Sequence, residues 1–316
     1  SPGSTPGQPM DNALVSDRQV AETKTWLRWW RVMFPLALLV VFGSWAVTSP
    51  VGSSPDDDYH LSSIWCAGGE RSGVCEVVED EPQALAVPES VGVAHECFAF
   101  QPAVTAACTE RLTETLVPAE RVNNRQGLYP SSFYRVMNVF VGDDPQRSVL
   151  MMRLFNAIVF VALLSLAVIV LAPAIRSAVT VVTAVVLVPL GLFIIPSTNP
   201  SSWTVTGVIF LWAFGLSLAQ RTSWRSRRTW LLAVATCLSA FLAIGSRVDA
   251  SAFVALAVIV VFVLTGWAKA RASWISFVVL LVLATIGLVQ FATFGTPGSG
   301  VSGGMGTTEP GPGLFL

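Results

Sequence analysis

The residues of this 316-residue chain best suited to chemistry sit in short polar stretches between long apolar blocks. The first stretch, Ser54-Pro55-Asp56-Asp57-Asp58-Tyr59-His60, sets three carboxylates side by side just beyond an apolar block. Neighbouring carboxylates repel one another, which raises the pKa of at least one of them or calls for a cation. At a membrane surface such a carboxylate can act as general base toward a sugar hydroxyl, and a nearby histidine can orient it or bind phosphate. Asp56 and Asp58 could also hold a divalent ion. The plain alternative is a solvated turn in an acidic loop. The second stretch is Ser246-Arg247-Val248-Asp249, where the Arg247 fork could grip a phosphate or pair with Asp249 across a helix junction. In the third, Pro196-Ser197-Thr198-Asn199-Pro200-Ser201-Ser202-Trp203, proline and hydroxyl residues predict a turn and then a helix with Ser201 or Ser202 as N-cap. Asn199 could face a substrate there. Arg147 and Arg153 flank the start of another apolar block, where they would meet lipid phosphates or anchor the interface.

The elements that must position these groups are membrane helices. Hydrophobic residues make up 53% of the chain, charged ones only 12%, and the mean hydropathy is +0.63. That balance excludes a soluble enzyme, and a net charge of −1 argues against nucleic-acid binding by bulk positive charge. A bilayer core takes roughly 20 apolar residues per helix. Seven blocks approach this: Val32–Thr48, Leu150–Leu171, Ala178–Ile195, Trp203–Leu218, Trp230–Ile244, Ala252–Trp267 and Trp274–Phe294. The first follows a polar stretch and lacks a convincing cleavage site, so it reads as a span rather than a signal peptide.

Lysine and arginine in the short connections set the orientation. With the N-terminus inside, Arg18, Lys24, Arg28, Arg31, Arg176, Arg221, Arg225, Arg227, Arg228, Lys269 and Arg271 all face the cytoplasm, against Arg247 alone in the short outer loops. Tryptophans at the block ends, Trp203, Trp224, Trp230, Trp267 and Trp274 among them, read as interface anchors. The expected organisation is a cytoplasmic tail over 1–31, a first span over 32–48 and an extracytoplasmic loop domain over 49–149. A six-helix membrane region over 150–294 and a flexible outer loop over 295–316 complete it. Apolar character resumes at Gly313-Leu314-Phe315-Leu316, so the chain reads as a fragment with further spans to follow.

The long loop holds fifteen of the twenty acids and four of the five cysteines. Cys66, Cys75, Cys97 and Cys108 form an even set in an oxidising compartment, which predicts two disulfides rather than a zinc site. Three pairings are possible. Cys66–Cys75 with Cys97–Cys108 is preferred because it closes the shortest loops. Cys237, inside a span, reads as a buried thiol. The loop's prolines and short apolar runs predict irregular structure with helices rather than a clear sheet. Leu128–Val141 would either lie on the membrane surface or form a buried helix of the loop domain.

The pattern as a whole resembles a known family. Pro55-Asp56-Asp57-x-x-His60, Met152-Arg153-Leu154-Phe155-Asn156-Ala157, Asn199-Pro200-Ser201-Ser202-Trp203 and Ser246-Arg247-x-Asp249 look like the bacterial polytopic family called domain of unknown function 2142. That family is common in actinobacteria and grouped with the GT-C membrane glycosyltransferases. Its usual first motif is Pro-Asp-Glu-x-x-His, so Asp57 stands here in place of Glu. The resemblance implies an all-α polytopic fold with a large first outer loop. It implies a polyprenyl-phosphate sugar donor, an acceptor on a cell-envelope glycan, lipid or protein, and a place in the plasma membrane. Asp56 would act as base, with Asp57 and His60 supporting it or contacting donor phosphate. Arg247, Asp249, Asn199 and Arg153 stand as substrate-binding candidates on charge and position. Two other classes stay open: a flippase of lipid-linked glycans, which would bury ionisable residues in its spans, and a non-catalytic envelope assembly protein working through the loop surface.

Overall fold

The computed structural model describes residue 29 and residues 32–78, 81–119, 124 and 129–294, with side chains omitted at 81–83 and 294. The N-terminal tail with Arg18, Lys24, Arg28 and Arg31, and the 295–316 segment, lie outside the described residues.

Among the described residues the chain forms twelve α-helices and three short strands. Apolar α1 (Val32–Thr48) leads into an inserted domain containing α2 (Asp57–Trp65), β1 (Glu76–Val78), β2 (Glu81–Pro88), α3 (Glu89–Gly92), β3 (Leu116–Pro118) and α4 (Ser131–Asn138). The chain then runs through α5 (Pro145–Val170), α6 (Pro173–Val186), α7 (Pro189–Ile194), α8 (Ser201–Ala219) and α9 (Arg227–Ser246). It finishes with α10 (Val248–Thr265), α11 (Trp267–Ala272) and α12 (Trp274–Phe294). Five of these, α5, α8, α9, α10 and α12, are long and apolar enough to cross a membrane, while α1 and α6 are shorter apolar helices.

Proline and capping residues mark the boundaries. Asp144 caps α5 by accepting from the Arg147 N–H, with Pro145 in the first turn, so this helix starts before the expected Leu150. The expected span Ala178–Ile195 is broken into two helices. Pro189 opens α7, and Gly191 comes so close to the Val186 carbonyl that any Cβ would collide with it. The caps expected at Ser201 or Ser202 are instead supplied by Asn199, whose Oδ1 accepts from the Ser201 N–H at 2.8 Å. Ser201 is already the first helical residue.

Helices α8 and α9 form the closest pair, because Gly207 lets α8 ride directly on the α9 backbone. A Cβ at Gly207 would lie 2.6 Å from the Ala243 nitrogen and from the Ser239 carbonyl oxygen. Close approach through small residues is how membrane helices gain packing energy when water supplies little drive. Phe42, Phe160, Phe210 and Phe214 form an edge-to-face and stacked series through the core between α1, α5 and α8. The outer faces of α10 and α12 remain apolar and exposed, as a lipid-facing surface requires.

The inserted domain contains a sheet that its sequence obscured. β1, β2 and β3 pair antiparallel in that order. Leu85 and Val87 are buried between half-buried Ala84 and Ala86, a period-two pattern only four residues long beside Pro82 and Pro88. The disulfides are Cys66–Cys75 and Cys97–Cys108, the local pairing preferred from loop length. For Leu128–Val141, the described part settles on the buried alternative. Phe133, Tyr134 and Met137 of α4 turn inward against α2 and α9, and Ser132 rests on Gly245. Trp203 is not an interface anchor: it is 2% exposed and its indole donates to Asn156 Oδ1 at 2.9 Å. Cys237 is exposed on α9 rather than buried, one of several side chains on that helix's outward apolar face.

Candidate functional site

The three neighbouring carboxylates have different surroundings. Asp57 is buried. Its Oδ2 accepts from the Ser54 N–H at 2.9 Å and its Oδ1 from the Thr198 hydroxyl at 2.5 Å, while the Arg153 guanidinium stands 3.9 Å away. Burial lifts the Asp57 carboxyl above its ordinary range, and Arg153, Thr198 and Ser54 pull it part of the way back. Asp58 is half-buried on α2, where its carbonyl accepts from the Ser62 hydroxyl. Asp56 is exposed at the N-terminal boundary of α2. Its backbone is left-handed, with φ of 56°, a conformation aspartate tolerates better than most residues.

Asp57, Arg153 and Asn199 are buried and bonded within the protein. Arg153 is 2% exposed, and its guanidinium donates to the Ser49 carbonyl, to the Pro50 carbonyl at 2.9 Å and more loosely to Ala46. It closes the orphan carbonyls at the end of α1 instead of reaching lipid phosphate. Asn199 spends its amide on the Pro55 carbonyl at 2.8 Å and its oxygen on α8. Asn156, in the same short motif as Arg153, bridges the Ser197 carbonyl at 2.7 Å and the Trp203 indole. These groups make one buried lock that ties the Asp56 turn to α5 and to the start of α8.

Three tyrosines that sequence reasoning did not single out surround the last motif residue, His60. The chain has only three tyrosines, and all of them converge here. The His60 ring lies 5.3 Å from Tyr59, 5.4 Å from Tyr129 and 6.0 Å from Tyr134 between centroids. His60 Nδ1 shares a 2.9 Å hydrogen bond with the Tyr134 hydroxyl. Burial, then the neighbouring phenols Tyr59 and Tyr129, push Tyr134 well above the ordinary tyrosine range, so it keeps its proton. The scarcity of tyrosine, with one in the acidic motif, one just before α4 and one within it, was the available signal.

Arg247 and Asp249 complete the constellation from the α9–α10 junction. Arg247 forms a two-pronged pair with Asp249, at 3.0 and 3.1 Å, and lies 5.8 Å from the Tyr129 ring centre. The hydrogen bonds that Arg247 donates to Asp249 raise its pKa further, so it stays charged. Both are partly exposed, unlike Arg153. Arg247 lies over the Tyr129 ring, and that ring packs against His60, so the α9–α10 junction adjoins the acidic motif through Tyr129. Among the described residues, no group of three or more His, Cys, Asp or Glu side chains is arranged to hold a metal ion.

A core of membrane-length apolar helices, with a disulfide-bonded domain inserted after the first apolar helix, defines a polytopic membrane protein. The chain belongs to the family described as Predicted membrane protein (DUF2142), which it matches over residues 39–312, a stretch that holds every site residue described above. No curated protein and no solved structure matches it.

Proposed function

We propose that the protein is a GT-C-type membrane glycosyltransferase acting at the outer face of the plasma membrane. Its donor is a polyprenyl-phosphate sugar and its acceptor a cell-envelope glycan, lipid or protein. In this reading α1, α5, α6 with α7, α8, α9, α10 and α12 form seven spans, the N-terminus is cytoplasmic and the inserted domain faces outward. The observation that carries the reading is an exposed carboxylate, Asp56, at the start of α2, and a partly exposed guanidinium, Arg247, packed over the Tyr129 ring that adjoins His60 of the same helix.

The chemistry follows from these roles. Asp56 takes the proton of an acceptor hydroxyl while that oxygen attacks the anomeric carbon. The bond from this carbon to the phosphate oxygen breaks on the opposite face, and its electron pair leaves with the polyprenyl phosphate. Arg247 turns from Asp249 to receive the phosphate charge, and the sugar inverts its configuration. Because the leaving group is already a phosphate, no nucleotide site is needed. His60 and Tyr134 hold the floor of the site, and Asp56 with Asp58 is the pair that would take up a divalent cation. A flippase would need ionisable groups that change partners inside its spans. Arg153, the buried cation of α5, is tied to carbonyls at the end of α1, which favours the transferase.

The test is transfer of labelled sugar from a polyprenyl-phosphate donor by the full chain and by Asp56→Asn in lipid nanodiscs. Losing a general base is expected to cost about 10²–10⁴-fold in rate, with insertion and melting unchanged. Full activity in a correctly inserted Asp56→Asn variant would end the assignment.

A further inference from the structure

A concavity lies on the inserted domain beside the tyrosine cluster. It encloses about 300 Å³ and is lined by Ser63, Glu70, Asn124, Ser131, Tyr134 and Arg135, with the Cys66–Cys75 disulfide in its wall. That volume is at the lower end for small-molecule sites and suits one or two sugar rings. Two of its lining residues, Asn124 and Tyr134, also bond to the cluster around His60. Asn124 accepts from the Tyr129 N–H at 2.7 Å and from the Tyr59 hydroxyl at 3.3 Å, and Tyr134 lines the cavity while bonding to His60. The successive α4 residues Tyr134 and Arg135 thus belong to the two adjoining sites.

We infer that this cavity is a binding subsite for a neutral glycan, the acceptor chain whose terminal hydroxyl reaches Asp56. The inference rests on the transferase reading for the word acceptor, but not for the binding itself. The chemical class follows from the lining. Glu70 and Arg135 are both exposed, and they present a carboxylate and a guanidinium, planar groups whose paired atoms match the spacing of vicinal hydroxyls. Among the described lining residues these two opposite charges offset each other, which favours a neutral ligand over a phosphate or a uronic acid. Ala67, Leu85 and the disulfide supply only a small apolar floor, too little for a lipid chain. The rim is stapled by Cys66–Cys75 and by Asn138, whose amide donates to the Ile64 carbonyl at 2.7 Å, so the shape is built before ligand arrives.

The experiment is saturation-transfer NMR on the detergent-solubilised full chain, with methyl glycosides of glucose, galactose, mannose and arabinose and their disaccharides as probes. Inorganic phosphate and glucuronic acid serve as anionic competitors. The expected result is binding of a neutral glycoside that weakens about tenfold in Arg135→Ala and in Glu70→Gln, is unchanged in Asp56→Asn, and is not displaced by the anions. Absence of binding by every neutral probe, or displacement by phosphate or glucuronate, overturns the inference, as does binding indifferent to both cavity substitutions. Each of these outcomes leaves the Asp56 transfer assay standing. Loss of Asp56 dependence with saccharide binding intact would remove the transferase reading and keep the subsite.

Discussion

At the scale of single residues, the acidic motif assigns opposite fates to adjacent side chains. Asp56 meets solvent, whereas Asp57 is held among Thr198, Ser54 and Arg153. Asp57→Ala removes the countercharge of a buried arginine, a change that costs about 3 kcal/mol. That places it at the low end for broken buried pairs, because Arg153 keeps its carbonyl partners. The expected sign is a lower melting temperature in detergent for Asp57→Ala, with Asp57→Asn, which keeps the shape, falling less. The spacing of Asp56, Asp57 and His60 marked this motif out in the sequence. Which carboxylate faces outward did not show there, because the choice is made by Thr198, 141 positions further along the chain. Arg153 misled for a similar reason: an arginine near a span end looks like a lipid anchor until the end of α1 folds over it.

Among the elements, helix ends and short pairings carry most of the information that the apolar blocks lacked. Long apolar runs made the existence of α5, α8, α9, α10 and α12 legible. The corner between α6 and α7 was not, since it depends on Gly191 meeting the Val186 carbonyl. The sheet was hidden because β1 and β3 are three residues each and gain stability only when β2 joins them. Glu89 binds the irregular segment that leads into β3: its Oε2 accepts from both the N–H and the hydroxyl of Thr113 at 2.8 Å. Those bonds lower its pKa below the ordinary 4.5. The sign is that of a depressed acid. Its contribution is present above pH 4.5 and is lost as pH falls through the folded value. Hydrogen exchange at the Thr113 amide should therefore accelerate, relative to Glu89→Gln, as pH drops below that point. The Glu89→Gln variant itself should show no such added pH dependence.

At the level of the whole molecule, the charge balance of the sequence resolves into separate regions. In the proposed orientation the arginines of the short connections, Arg247 excepted, face the cytoplasm and the acids of the inserted domain face outward. The orientation is open to a direct check in a Cys237→Ser background, which removes the one unpaired thiol described. A membrane-impermeant maleimide applied to intact cells should label Glu114→Cys and spare Arg225→Cys, both exposed positions; the reverse pattern inverts the proposed topology. The Arg153 clamp also orders the biogenesis of the chain. Its guanidinium joins α5 to backbone carbonyls 103 to 107 residues earlier, so the inserted domain is an excursion whose two ends are fastened by one side chain. In the proposed topology α1 would enter the bilayer first, with its terminal carbonyls still awaiting partners. Arg153 arrives later with a charge that hydrocarbon would reject. Each is the other's remedy, and the translocation machinery would release α1 and α5 to the lipid most favourably as a pair, after the domain between them has emerged.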